Sequence, residues 1–122
     1  MSELALNLNK KYTYKDYLNL PEDYRYEIIN GVIYNMSPAP RRLHQKISGN
    51  IFAKIHNYLE NKPCEVYDAP FDVRLPLTKE DSDFEIDTVV QPDIVVICNK
   101  SKLDDAGCTG APDIVIEIIS ES

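Results

Sequence analysis

Two stretches in the second half of the chain, residues 89–98 and 114–119, are nearly unbroken apolar runs rich in Val and Ile, interrupted only by Gln91-Pro92-Asp93 and by Glu117. β-branched side chains lose rotamer freedom in a helix but fit a pleated sheet. A run without polar alternation reads as a strand buried on both faces. A chain carrying two such strands must cover both sides of a sheet, and that requirement selects a layered α/β architecture. The length of 122 residues suffices for one domain with its own core.

The covering layer is visible upstream. Leu43, Ile47, Ile51, Ile55 and Leu59 recur every four residues, with Phe52 and Tyr58 beside them, which predicts an amphipathic helix over residues 41–61. Arg41, Arg42, Lys46 and Lys54 fall on its other face. Before it, residues 24–30 and 32–36 flank Asn30-Gly31, the pair that best suits a type I′ hairpin turn because both central residues take positive φ. Thr13 is placed to cap a short helix over 14–20 that Pro21 stops. Residues 1–11 lack periodicity and read as a flexible arm, leaving 12–122 as a single domain. After Pro63, residues 65–68 and 71–75 read as one interrupted strand, 77–87 as an acidic loop and 100–112 as a connection. The chain then ends just after the strand over 114–119, where a covering helix is expected, so we read it as lacking its C-terminal part or as relying on a partner chain, with self-association through the uncovered face.

Composition excludes several classes. No apolar run approaches the ~20 residues of a membrane span, and the N-terminus carries no secretory signal, so a cytoplasmic protein is expected. Cys64, Cys98 and Cys108 are an odd set without metal-ligand spacing and read as reduced thiols. Charge is uneven: residues 1–62 hold 9 basic and 6 acidic side chains, residues 63–122 hold 4 and 14, giving +3 and −10 and the net −7.

Two carboxylates, Asp93 and Glu117, interrupt otherwise apolar strands. Burying an ionised carboxylate is costly without a compensating charge. A divalent cation is one compensation, since Mg²⁺ prefers carboxylate oxygens. Arg74 is the alternative partner. Asp113 stands four residues before Glu117, roughly 13 Å along a regular strand, so the two cannot share one ion. Asp93 lies on a different strand, and neighbouring strands are ~4.8 Å apart, which lets Asp93 and Glu117 converge. Glu27, just before the hairpin turn, is a third candidate, with Arg25 as its alternative partner. His44 flanks the apolar stripe of the long helix and is a possible accessory group or a core-edge histidine; His56, twelve residues on, cannot share a metal with it.

In order along the chain come Tyr14-Lys-Asp-Tyr, Tyr26-Glu27-Ile-Ile-Asn-Gly31, Met36-Ser-Pro-Ala-Pro40 with His44, Ala69-Pro-Phe-Asp-Val-Arg-Leu75, Val90-Gln-Pro-Asp93 and Ala111-Pro-Asp-Ile-Val-Ile-Glu-Ile-Ile-Ser120. This ordered set resembles the Uma-two family of restriction endonucleases, within the PD-(D/E)XK nuclease superfamily, from about residue 12 to the end. The resemblance implies a restriction-endonuclease-like α/β core, with a mixed central sheet and the long N-terminal helix packed on it. It implies an endonuclease that hydrolyses phosphodiesters of nucleic acid, DNA rather than RNA, using Mg²⁺ with Mn²⁺ as a substitute. Pro92-Asp93 matches the PD element, Glu117 the (D/E) element and Glu27 the acidic residue ahead of the core. Asp93, Glu117 and the Ile118 carbonyl would then hold the metal, and Arg41, Arg42 and Lys46 would contact phosphates. Ile119 departs from the pattern, because it stands where the simplest form carries a lysine two residues after the glutamate. The expectation is therefore weak or absent turnover by this chain, with a non-catalytic structural or partner-binding module as the alternative.

Overall fold

The computed structural model describes residues 9–22, 25–36, 41–78 and 81–119. In chain order these form α1 (Tyr14–Leu18), β1 (Tyr26–Ile29), β2 (Val32–Asn35), α2 (Arg42–Leu59), β3 (Glu65–Asp68), β4 (Asp72–Arg74), β5 (Val89–Val90), β6 (Ile94–Ile97), β7 (Gly107–Thr109) and β8 (Ile114–Ile116). Short 3₁₀ turns occupy Asp83–Glu85 and Lys100–Lys102. The chain divides into two compact units, Met1–Ser37 with Arg74–Val90 and Pro38–Val73 with Gln91–Ser122. Residues 1–8 of the expected arm, the Ser37–Pro40 stretch and Ser120 lie outside the described residues.

The first unit is built on the expected hairpin. Asn30 and Gly31 take φ values of 50° and 83°, as a type I′ turn requires. The turn sets the register Tyr26↔Asn35 through Ile29↔Val32. β5 joins the other side of β1 through Ile28↔Val89. Tyr26, Ile28 and Ile33 form the buried face, against which Tyr12, Tyr17 and Leu20 pack. Asp16 draws α1 tight by accepting a hydrogen bond from the Thr13 N–H at 3.0 Å. Arg74 is buried, with its guanidinium 5.1 Å from the centre of the Tyr14 ring. Asp87, also buried, pairs with Lys11 at 2.6 Å.

The second unit is an antiparallel sheet ordered β3-β6-β8 with α2 on one face. β6 is the middle strand, and all four of its residues are buried. Ile51, Phe52, Ile55 and Leu59 of α2 pack on Val66, Ile94 and Val96. Leu43 and Ile47, expected to share that face, are instead 61% and 38% exposed. The reason is rotation: at ~100° per residue each four-residue step overshoots a full turn by ~40°, and the half-buried face follows His44, Ser48, Ile51 and Ile55 instead. Leu43 and Ile47 therefore lie ~80° and ~40° round the helix from Ile51, off the side that meets the sheet.

Three further expectations are corrected. The apolar run over 89–98 is two strands, one in each unit, because Pro92 has no N–H for a ladder and the chain bends at 91–93. The run over 114–119 is not buried: Ile114 and Val115 are about half exposed and Ile119 is 94% exposed, since β8 has β6 as its one ladder neighbour and forms a sheet edge. Cys64 and Cys98 are not reduced thiols but a disulfide, leaving Cys108 as the reduced and buried cysteine. Their pairing follows from register, because Glu65 faces Ile97 and the next step outward brings Cys64 to Cys98. The connection over 100–112 also contains β7, which no alternation announces; Gly107 within it has φ 156° and passes so close to Asp72 that a Cβ would lie 2.0 Å from that residue's carbonyl oxygen. No helix among the described residues is long and apolar enough to cross a membrane.

Candidate functional site

Asp93 is the residue before β6, and the structure surrounds it with named contacts. The ladder Ile94↔Ile116, continued one step, sets Asp93 opposite Glu117. Residues so opposed have Cα atoms ~4.5–5.5 Å apart. Oδ2 of Asp93 accepts a hydrogen bond from the Ile118 N–H at 2.7 Å, so its carboxylate rests on the peptide that joins Glu117 to Ile118. The same oxygen lies 3.3 Å from Nε2 of His44. The main chain is fixed too, since the Asp93 carbonyl accepts from the Ala69 N–H at 3.0 Å. Two residues earlier, the buried Gln91 side chain donates to Oδ1 of Asp72 at 2.9 Å.

His44 earns its position from the helix. At ~100° per residue it shares a face with Ser48, Ile51 and Ile55 and is half-buried with them, which turns it toward the sheet. The His44 and Asp93 side chains are 10% and 16% exposed. The spacing of His44 along the apolar stripe was the one signal of this contact, because sequence distance between residues 44 and 93 carries no information about it. Arg42 and Lys46 fall ~160° away on the helix and are exposed, on the face turned from His44. Arg41, exposed, is the residue before the helix.

The remaining candidates have definite places. Glu27 sits half-buried on β1 opposite Tyr34, in the first unit. Glu117 is exposed, so the desolvation argument made for it from the sequence does not hold; Asp93, half-buried, keeps it in part. Arg74 stacks on Tyr14, and the Asp93 carboxylate meets His44 and the Ile118 N–H instead. Asp113 closes the start of β8 by accepting the Cys98 N–H at 2.7 Å. Lys100 lies 3.4 Å from Glu65, and Lys102 donates to the Ala111 carbonyl at 2.9 Å. His56 stacks on Phe52 at 6.0 Å.

A hard divalent cation fits this donor set in a limited way. Oδ2 of Asp93 is occupied by its two neighbours, while among the described residues Oδ1 accepts no hydrogen bond. Glu117 offers a second carboxylate on the solvent side. Mg²⁺ retains several waters and is commonly held by one or two carboxylates, so two suffice chemically. Among the described residues no group of three or more His, Cys, Asp and Glu side chains is gathered for a metal.

The fold alone already has a solved counterpart. The structure superposes with a TM-score of 0.64 on the crystal structure of a putative nuclease belonging to DUF820 from Anabaena variabilis ATCC 29413, at 22% identity, covering 88% of this chain and 58% of that one. The two share a mixed α/β fold, and the chain spans little more than half the length of that relative. The model of the Uma2 family, described as putative restriction endonucleases, matches residues 14–122, and the chain belongs to that family. No curated protein matches it.

Proposed function

We propose that the chain carries the carboxylate half of a divalent-cation site for phosphodiester hydrolysis in nucleic acid, with DNA as the preferred substrate. The observation that supports it most is the placement of Asp93, held through one oxygen by Ile118 and His44 while the other accepts no hydrogen bond among the described residues, one step beyond the Ile94↔Ile116 pair that leads to Glu117. Asp93, Glu117 and the Ile118 carbonyl would hold Mg²⁺, or Mn²⁺ in its place. A bound cation of this type supplies Lewis acidity toward a phosphodiester oxygen and lowers the pKa of an attached water. The residues of the chain do the orienting. The Ile118 N–H and His44 together fix the Asp93 carboxylate before any ligand arrives, which removes an ordering cost at binding. Arg41, exposed beside the helix start, would meet a phosphate; Arg42 and Lys46 would engage only a substrate that wraps the outer face of α2. Glu27 is retained as a contributor to catalysis on the family resemblance. Ile119 offers no cation to the reacting phosphate, so turnover by these 122 residues is expected to be weak.

The alternative is a non-catalytic module on the same fold, favoured by the lack of a three-residue ligand cluster among the described residues. Titration of the chain with Mg²⁺ and Mn²⁺ by calorimetry separates the two. Saturable binding that Asp93→Asn and Glu117→Gln each abolish, and Glu65→Gln leaves intact, supports the site. Binding indifferent to both substitutions rejects it. Cleavage of plasmid DNA and of a structured RNA, with Asp93→Asn as the control, then assigns the substrate.

A further inference from the structure

The far end of β6 carries a second chemical feature, independent of the reading above. The Cys64–Cys98 disulfide joins the residue before β3 to the residue after β6. Cys64 lines a cavity of about 390 Å³, together with His56, Glu60, Lys62, Glu65 and Lys100 among others. Cys98 is exposed and is not among the cavity's lining residues, whereas Cys64 is half-buried. The cavity is thus lined by two lysines, two glutamates, a histidine and one half of a disulfide. Both signs are anchored: the Lys62 ammonium donates to the Tyr58 carbonyl at 2.9 Å and lies 4.2 Å from the centre of that ring, and Glu65 is held by Tyr67 and Lys100. The volume lies in the range that accepts small molecules, about 300–1,000 Å³.

We propose that this cavity docks a small amino-acid-derived thiol, bearing both carboxylate and ammonium groups, and that the bound thiolate opens the disulfide by attack on Cys64 Sγ. The thiolate lone pair forms the new S–S bond to Cys64. The electron pair of the old bond leaves on Cys98 Sγ, which takes a proton from water. The products are a mixed disulfide on Cys64 and a free thiol at Cys98, and a second thiol, or Cys98 itself, reverses or completes the exchange. Cys98 is the more exposed position, so simple access favours attack there; the cavity reverses that choice.

The test uses the full oxidised chain in native buffer, treated with glutathione or with uncharged 2-mercaptoethanol at equal thiolate concentration. After an acid quench and alkylation, peptide mass spectrometry reads each cysteine. The expected result is a glutathione adduct on Cys64, an alkyl tag on Cys98 and no change at the buried Cys108. Opening by glutathione should be faster, by about fivefold for each well-placed charge pair, and Lys62→Glu should remove that part of the advantage. In a second arm, Cys98→Ser chains should react with glutathione disulfide faster than Cys64→Ser chains. An adduct on Cys98, equal rates for the two thiols, a reversed order in the second arm, or a disulfide that opens only on global unfolding would each overturn the proposal.

Discussion

Ile47 and Ile51 are one helical turn apart and, in the sequence, equivalent members of one apolar stripe; the structure separates them. Ile51 packs on Val66, Ile94 and Val96, while Ile47 stands 38% exposed, turned off the helix face that meets the sheet. Placing aspartate at each position tests the distinction. Full burial of an isoleucine is worth ~1.5–3 kcal/mol, so the half-buried Ile51 contributes about 1 kcal/mol. Poorly solvated carboxylate at the same place adds a further ~1–2 kcal/mol. Ile51→Asp should therefore cost about 2–3 kcal/mol, and Ile47→Asp less than about 1 kcal/mol, as surface changes usually do. With an unfolding entropy of ~2.1 cal/mol/K per residue over 122 residues, each kcal/mol moves the melting temperature by about 4 °C. Thermal unfolding followed by circular dichroism should then fall by ~10 °C for Ile51→Asp and by no more than ~4 °C for Ile47→Asp. Helix propensity is altered equally in both variants and cancels in the comparison. Equal losses would refute the packing described for α2.

Three other outcomes follow from particular contacts. Reduction of Cys64–Cys98 removes a link across 34 residues, worth at most about 4 kcal/mol by chain entropy, so urea unfolding of the reduced chain should show a lower midpoint, and an unchanged midpoint would deny the link a stabilising role. Hydrogen bonding from Tyr67, with a smaller contribution from Lys100, holds the Glu65 carboxyl below its ordinary value despite some opposing burial. A depressed folded-state value contributes stability above the unfolded value that is lost as pH falls through the folded one; Tyr67→Phe should thus flatten the acid side of the melting-temperature profile and leave neutral pH the region of greatest difference. Gly107→Ala would place a Cβ against the Asp72 carbonyl at a φ that side chains rarely adopt, and denaturant titration should show a loss of more than ~1 kcal/mol.

How far the residues announced the structure depends on the range of the signal involved. Asn30-Gly31 dictates its turn through local φ preferences, and the hairpin with its register followed. The four-residue period of α2 correctly marked a helix and the face of Ile51, Ile55 and Leu59, but a strict four-residue period drifts ~40° per step on a helix of 3.6 residues per turn, so Leu43 and Ile47 were placed with it in error. The pairing of the strands that lead to Asp93 and Glu117 was legible because two apolar runs of strand length pair most simply side by side. Their burial was not, because the number of neighbours of a strand is a property of the whole sheet, and β8 has one. The disulfide escaped notice because 34 residues separate its ends and only the β3–β6 register brings them together.

That β6 is central while β8 is an edge makes the two halves of the candidate site kinetically unequal. Amides of a strand buried on both faces exchange with solvent only when the unit opens as a whole, whereas an edge strand with exposed side chains can lift away at lower free energy. Asp93 thus adjoins a strand expected to exchange slowly, and Glu117 follows one expected to exchange faster. The Ile118 N–H bond to Asp93 is the stitch between them. A ligand gripping both carboxylates would register less as a change in shape than as a slowing of deuterium uptake along β8.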